Sequence, residues 1–183
     1  MKPGTTIRKF KAKDGREVTL RAPRWSDLDD MLFFINSLIK EGAEIAADTK
    51  KTKDQEVEWL ARLLSSVEMD KKVSVVADVG GRFVGHVEAE PRGGRSRHVG
   101  VLGIALLEGY REVGIGTEMM KEAETQARRL GIEIMTLEVY ATNERARHVY
   151  TKLGYREAGC VPRAVKKDGD YLDVITMTKE NII

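Results

Sequence analysis

The stretch Tyr110–Thr117, which carries glycines at positions 114 and 116, constrains the fold of this chain more than any other. An apolar run at residues 98–107 precedes it and is typical of a buried strand. After it, apolar residues recur with a helical period as far as Leu130. A helix that begins directly after a tight turn has first-turn amides without intrahelical acceptors, at the positive end of its dipole. Because glycines let a ligand approach the backbone, this turn predicts an anion site, most naturally one for phosphate.

The remaining pattern predicts a mixed sheet. The passage from strand 98–107 through a helix at 115–130 to strand 132–139 makes these two strands parallel neighbours. Most other strands flank turn signals such as Asp14-Gly15 and Gly80-Gly81, which predict antiparallel hairpins. We therefore predict an α/β (α+β) fold whose sheet is mixed and mostly antiparallel, with six to seven strands and helices on both faces.

Composition narrows the classes of protein that remain. The chain has 183 residues, of which 42% are hydrophobic and 33% charged, and we expect residues 1–183 to form a single domain. Its 31 basic and 29 acidic residues nearly cancel, so nothing points to nucleic acid or an anionic membrane as a partner. No apolar stretch is long enough to span a bilayer, and the single Cys160 cannot form an internal disulfide. These features predict a cytoplasmic protein.

Two motifs resemble those of the GNAT family of N-acetyltransferases. Residues Ile104–Thr117 are similar to that family's acetyl-CoA motif, Arg/Gln-x-x-Gly-x-Gly/Ala. Residues Leu137–Tyr155 resemble its second motif, in which an Asn opens a helix, a Tyr follows seven residues later, and Leu-Gly-Phe/Tyr ends it. The order of the elements also fits, so the resemblance covers about the whole chain. The presence of both motifs at this spacing is a specific signature of the family.

The resemblance implies an acetyl-CoA site between the two parallel strands. These strands, at 98–107 and 132–139, would splay apart, and the pantetheine arm would lie in the gap and pair with main-chain groups of Ile104, Ala105 and Leu106. Asn143 would hold the cofactor near its thioester. The pyrophosphate would lie on the amides of the glycine turn, Glu112, Val113, Gly114, Ile115, Gly116 and Thr117, and Arg111 would be a further cofactor-binding residue. One departure is Glu112-Val113, where family members often carry a basic residue. An acidic side chain there should weaken cofactor affinity unless it turns to solvent.

Tyr150 and Glu138 are the candidate catalytic residues. Seven residues nearly complete two helical turns, so Tyr150 lies on the same helix face as Asn143. The matching Tyr is the usual general acid of the family, which implies that Tyr150 protonates the departing thiolate. The alternative is an aromatic residue of the core. Glu138 matches the proton acceptor of the family's ribosomal-protein alanine acetyltransferases, and its alternative is a solvated or ion-paired carboxylate.

Other carboxylates are candidates for the base or for binding the acceptor. Glu88 and Glu90 could take either role, although a surface charge is the simpler interpretation. Glu41 and Glu44 fall where the family commonly builds its acceptor wall, and acidic residues there would favour a cationic acceptor. The three histidines, His86, His98 and His148, lack the spacing of metal ligands, so we expect no metal cofactor.

The sequence thus predicts an acyltransferase that moves an acetyl group from acetyl-CoA to a primary amine by direct attack in a ternary complex. The acceptor could be a small molecule, an amino acid or a protein N-terminus. Dimers are common in the family, so a homodimer is one possible assembly of this chain. Two alternatives remain: a non-catalytic acetyl-CoA sensor on the same fold, and a nucleotide- or RNA-binding protein that uses the glycine turn and Arg92–Arg97.

Overall fold

A computed structural model describes residues 1–182. The strands are β1 (Thr6–Lys11), β2 (Glu17–Arg21), β3 (Val73–Val79), β4 (Arg82–Pro91), β5 (Val99–Leu106), β6 (Ile134–Tyr140), β7 (Arg156–Lys167) and β8 (Asp170–Lys179). The α-helices are α1 (Leu28–Lys40), α2 (Lys53–Glu68), α3 (Ile115–Arg129) and α4 (Glu144–Lys152). Within residues 1–182, no helix combines the length and apolarity needed to cross a membrane.

All eight strands belong to one sheet in the order β1-β2-β3-β4-β5-β6-β8-β7. Every neighbouring pair is antiparallel except β5 and β6, so the predicted mixed, mostly antiparallel sheet is confirmed. The predicted number of six to seven strands is wrong. Both terminal hairpins belong to the sheet, since β1 forms a ladder with β2 and β7 forms one with β8, which brings the number of strands to eight.

Helices cover both faces of the sheet, as predicted. The side chains of β3 alternate between the two faces, which is the expected period of two in a strand. Val75 and Ala77 belong to the core that contains Met119 of α3, whereas Val76 belongs to the core that contains Leu60 of α2. We call these the α3 face and the α1–α2 face.

The parallel strands β5 and β6 separate after a short paired section. Their register consists of Val99 with Ile134, Gly100 with Met135, and Val101 with Thr136. Beyond these pairs, β5 stays with β4 as far as Leu106, while β6 stays with β8 as far as Tyr140. The predicted splay is therefore confirmed, and a gap opens at the carboxyl ends of the two strands.

Candidate functional site

The start of α3 is a row of amides without acceptors. Gly114 caps the helix with φ +90°, a conformation that favours glycine, and Glu118 is the first residue to bond back, to the Gly114 carbonyl at 3.2 Å. The backbone amides of residues 111–117 donate no hydrogen bond to any residue between 1 and 182. The amides of Gly114–Thr117 lie at the positive end of α3 and those of residues 111–113 directly precede it. We call this row the amide cradle, a candidate site for an anion.

At position 116 a glycine is favoured by close packing and not by backbone conformation, because Gly116 lies within α3 and has the φ of an ordinary helix. A Cβ at this position would lie 3.3 Å from Cδ1 of Leu106 and 3.9 Å from Cδ1 of Ile104. The first turn of α3 therefore packs directly against the end of β5. This contact brings the amide cradle next to the gap between the parallel strands.

Arg111 connects the cradle to α1. Its Nε donates to the carbonyl oxygen of Leu106 at 2.9 Å, and its guanidinium forms an ion pair with Glu41, just after α1. The structure thus brings Glu41 to the loop of residues 107–114 that leads into α3, where Arg111 compensates its charge. We call this segment the phosphate loop, after the anion that the sequence predicts there. The Leu106 carbonyl, which was expected to pair with pantetheine, accepts a hydrogen bond from Arg111 in this structure.

Glu112 turns away from the cradle. Its φ is +65°, and its side chain is 70% exposed and lies 3.2 Å from Nε of Arg145 on α4. The acidic residue that departs from the family pattern is therefore directed to solvent and paired with a cation. This orientation leaves its backbone amide available in the cradle.

The segment between α1 and α2 crosses the end of β6. The hydroxyl of Tyr140 donates to the Ile45 carbonyl at 3.1 Å, and Thr142 donates to the Glu44 carboxylate at 2.8 Å. Burial raises the pKa of Tyr140, with a further contribution from the charges of Glu44 and Asp48. Glu44 therefore lies at the mouth of the gap, as part of a wall on the α1–α2 face.

Asn143 caps α4 and Tyr150 lies within it, as expected. The Asn143 side-chain oxygen accepts from the Ala146 amide at 3.0 Å and caps the helix, while its NH₂ group donates to none of the residues between 1 and 182. The Tyr150 ring packs against the core of the α3 face, 6.2 Å from the Tyr155 ring. Burial raises the pKa of Tyr150 to about 12, so its phenol remains protonated at neutral pH.

An open groove of about 750 Å³ lies at the start of α4, and its lining includes Asn143 but neither Tyr150 nor Glu138. It is lined by Glu44, Glu112, Thr142, Asn143, Glu144, Arg145, His148 and Val149. The groove therefore runs from the segment after α1, past the phosphate loop, to the start of α4. Arg92–Arg97 lies beyond the opposite end of β5, roughly 25 Å away along a strand of this length, so it does not form one site with the glycine turn.

Comparison with known proteins identifies the family. The family model described as "Acetyltransferase (GNAT) family" matches residues 33–155. The chain belongs to this family. Acetyltransferases of this family use acetyl-CoA as the acetyl donor. Membership of the family therefore makes this protein an acyltransferase.

Two curated relatives and one solved structure illustrate the similarity. The chain is 25% identical over 166 residues to a candidate phosphinothricin acetyltransferase of Bacillus subtilis, covering 89% of this chain and 99% of the relative. It is 26% identical over 156 residues to an N-alpha-acetyltransferase of Sulfurisphaera tokodaii, covering 80% and 84%. A phosphinothricin acetyltransferase from Sinorhizobium meliloti, solved with acetyl-CoA, superposes with a TM-score of 0.79 at 23% identity, covering 90% and 88%. This superposition supports the fold.

Glu138 of this GNAT acetyltransferase lies on the α1–α2 face of β6. Its neighbours Leu137 and Val139 point into the core of the α3 face, so Glu138 points the other way, and it is exposed. Its backbone pairs with Thr176 of β8, whereas its side chain has no ion-pair or hydrogen-bond partner among residues 1–182. Continuing the parallel register of Val101 with Thr136 places Gly103 across the gap from Glu138.

A second carboxylate lies on the other side of Gly103. Glu88 pairs in register with Gly103, and its Cγ lies 4.0 Å from where a Cβ on Gly103 would be. Lys72 contacts Glu88 at 3.4 Å and Glu90 at 2.8 Å. The neighbours of Glu88 along β4, Val87 and Ala89, belong to the core of the α3 face, so Glu88 and Glu138 lie on the same α1–α2 face, on either side of Gly103.

Sequence reasoning identified no role for His86, which lies on β4 next to β5. It pairs in register with Ala105, and its Nε2 lies 2.7 Å from the hydroxyl of Ser74. The Trp59 ring meets the imidazole edge-on at 5.7 Å. Burial lowers the pKa of His86, which favours the neutral imidazole. No local sequence signal could have revealed the cluster of Trp59, Ser74 and His86, because these residues come from α2, β3 and β4 respectively.

Proposed function

We propose that this GNAT acetyltransferase transfers the acetyl group of acetyl-CoA to a primary amine by direct attack in a ternary complex. The observation that carries the proposal is the row of unbonded amides at 111–117 beside the gap between β5 and β6. Bound acetyl-CoA in the Sinorhizobium meliloti structure supports the donor. The name of the Sulfurisphaera tokodaii relative, an N-alpha-acetyltransferase, supports an amine as the acceptor.

The donor lies along the gap with its pyrophosphate in the amide cradle. Main-chain groups of Ile104, Ala105 and Leu106 pair with the pantetheine arm, and the Leu106 carbonyl becomes available if Arg111 moves. A backbone amide of this strand polarises the thioester carbonyl in the manner of an oxyanion hole. The free NH₂ group of Asn143 donates to the cofactor near its thioester end.

Glu138 and Tyr150 then move the two protons of the reaction. Amines are protonated at neutral pH, so Glu138, directly or through water, removes a proton before the nitrogen attacks the thioester carbon. The attack forms a tetrahedral intermediate whose nitrogen still carries one proton more than the amide product. As the C–S bond breaks, the phenol of Tyr150 donates its proton to the thiolate, and the surplus proton of the nitrogen passes through water to the Tyr150 phenolate, which restores the phenol. A pKa of about 12 keeps that proton on Tyr150 until the thiolate forms.

The acceptor approaches from the α1–α2 face. Glu88 and Glu138 lie on either side of Gly103, and Glu44 lies in the wall above β6. These carboxylates favour an acceptor that carries positive charge. Glu41 contributes little to that preference, because Arg111 compensates it.

The decisive experiment measures release of free thiol from acetyl-CoA with a panel of a monoamine, a diamine, an amino acid and a peptide with a free N-terminus. We expect thiol release with at least one amine, together with a product that has gained one acetyl group by mass spectrometry. Tight acetyl-CoA binding without thiol release from any amine would instead support the sensor. Absence of acetyl-CoA binding would contradict both functions.

Replacing Glu138 with glutamine tests the base. We expect kcat/KM to fall by about 10²-fold at neutral pH, because the amine must then lose its proton to solvent. The acidic limb of the pH–rate profile should also disappear or shift, whereas Glu90→Gln should keep it, since Glu90 lies outside the row of Glu88 and Glu138. If Glu88→Gln removes the limb and Glu138→Gln leaves it unchanged, the base is Glu88.

A further inference from the structure

The tip of the β1–β2 hairpin supports the phosphate loop, although it lies outside both sequence motifs. The Lys13 amide donates to the Val113 carbonyl at 2.9 Å, and Nη2 of Arg16 donates to the Gly109 carbonyl at 2.7 Å. The Arg16 guanidinium also lies 4.4 Å from the centre of the Tyr110 ring. Both ends of the loop are therefore in contact with this hairpin.

The Lys13 side chain extends over the start of α3. Its Cγ and Cε each lie 3.7 Å from where a Cβ on Gly114, the helix cap, would be. The ammonium group is one bond beyond Cε, so it lies close to the positive end of the helix dipole. A cation at this end is disfavoured unless an anion binds between it and the helix. Among residues 1–182, no carboxylate pairs with Lys13.

The arginines around the cradle already have acidic partners. Arg111 pairs with Glu41, Arg145 pairs with Glu112, and Arg16 pairs with Asp14. Lys13 has no such partner, and it lies beside the loop where Glu112-Val113 departs from the basic residue common in the family. The chain therefore supplies from its first hairpin the cation that the motif itself lacks.

We propose that Lys13 binds the diphosphate of acetyl-CoA, with its ammonium group facing the amides of residues 111–117. This inference rests on acetyl-CoA being the donor in the proposed function. The bound diphosphate pairs with the ammonium group and, at the same time, accepts hydrogen bonds from the backbone amides. Its negative charge thereby compensates the unfavourable interaction between Lys13 and the helix dipole. The hairpin thereby becomes part of the cofactor site.

The test compares the dissociation constants of CoA for the wild type and Lys13→Met by titration calorimetry. Methionine keeps the aliphatic contact with Gly114 and removes the charge. We expect the Kd to rise roughly tenfold at low salt, as for a charge-assisted hydrogen bond, and the difference to shrink at high salt. Lys11→Met is the matched control, because Lys11 is exposed on the same hairpin, and it should bind CoA like the wild type. Lys13→Arg should restore most of the affinity.

Truncated cofactors identify the phosphate. Dephospho-CoA keeps the diphosphate, so Lys13→Met should lose the same affinity for it. S-acetylpantetheine lacks both the diphosphate and the 3′-phosphate, so its KM should be equal in the wild type and in Lys13→Met. Unchanged CoA affinity in Lys13→Met overturns the inference, and a loss confined to CoA overturns it by placing Lys13 on the 3′-phosphate. A wild type that does not bind CoA overturns the proposed function as well.

Discussion

Tyr150→Phe is expected to lower kcat by about 10²-fold or more while changing the Kd of CoA by less than about twofold. The substitution removes only the hydroxyl and keeps the ring that packs beside Tyr155. Without the phenol, the thiolate must leave unprotonated or take its proton from water, so the loss falls on the chemical step. Steady-state kinetics with an accepted amine, together with calorimetric CoA binding, measures both quantities.

The pH dependence gives a second readout for Tyr150. Burial raises its pKa from the usual value near 10 to about 12, which means that the acid form persists to higher pH. Deprotonation of Tyr150 should therefore cause no loss of wild-type kcat between pH 7 and 10. If wild-type kcat instead falls above about pH 8, and this fall is absent in Tyr150→Phe, then Tyr150 titrates near pH 8. That result would contradict the raised pKa of Tyr150.

Tyr155→Phe is the matched control for this prediction. Tyr155 is 1% exposed, and its hydroxyl has no hydrogen-bond partner within residues 1–182. Removing that hydroxyl should leave kcat close to the wild-type value. If Tyr150→Phe also keeps full kcat, Tyr150 is a core aromatic residue and the thiolate takes its proton elsewhere.

The parts of this site that the sequence predicted depend on neighbours within the chain. The glycines at positions 114 and 116, followed by a helical period, predict an anion site at a helix start without knowledge of the tertiary structure. The same holds for Asn143, whose capping role depends on Ala146 three residues later. The parallel pair of β5 and β6 follows from the intervening helix, because such connections have one common geometry.

The parts that the sequence left open depend on contacts between distant residues. Glu41 was expected in the acceptor wall on the basis of its position between two helices, yet its partner is Arg111, 70 residues away. The row of Glu88, Gly103 and Glu138 depends on strand register, and a shift of one residue would send each side chain to the other face. The hairpin contact of Lys13 also follows from the arrangement of the whole sheet, which no local pattern encodes.

The largest expected loss of stability comes from Asp27→Ala. Asp27 and Arg21 have side chains that are 2% and 5% exposed, and two hydrogen bonds of 2.7 and 2.8 Å join them. Removing the carboxylate leaves the Arg21 charge buried, with only Asp78 at 3.1 Å to compensate it. We expect the free energy of unfolding to fall by about 3–5 kcal/mol, measured by urea denaturation.

Asp29→Ala is a matched control, because Asp29 also forms an ion pair, at 2.8 Å with Lys53. That pair is exposed, with side-chain exposures of 80% and 60%, so its loss should change stability by less than about 1 kcal/mol. Equal effects of the two substitutions would contradict the role assigned to burial. Because Asp27 directly precedes α1 and Glu41 directly follows it, the buried pair anchors one end of the helix whose other end contacts the phosphate loop. In Asp27→Ala, the Kd of CoA should therefore begin to rise at lower urea than in Asp29→Ala.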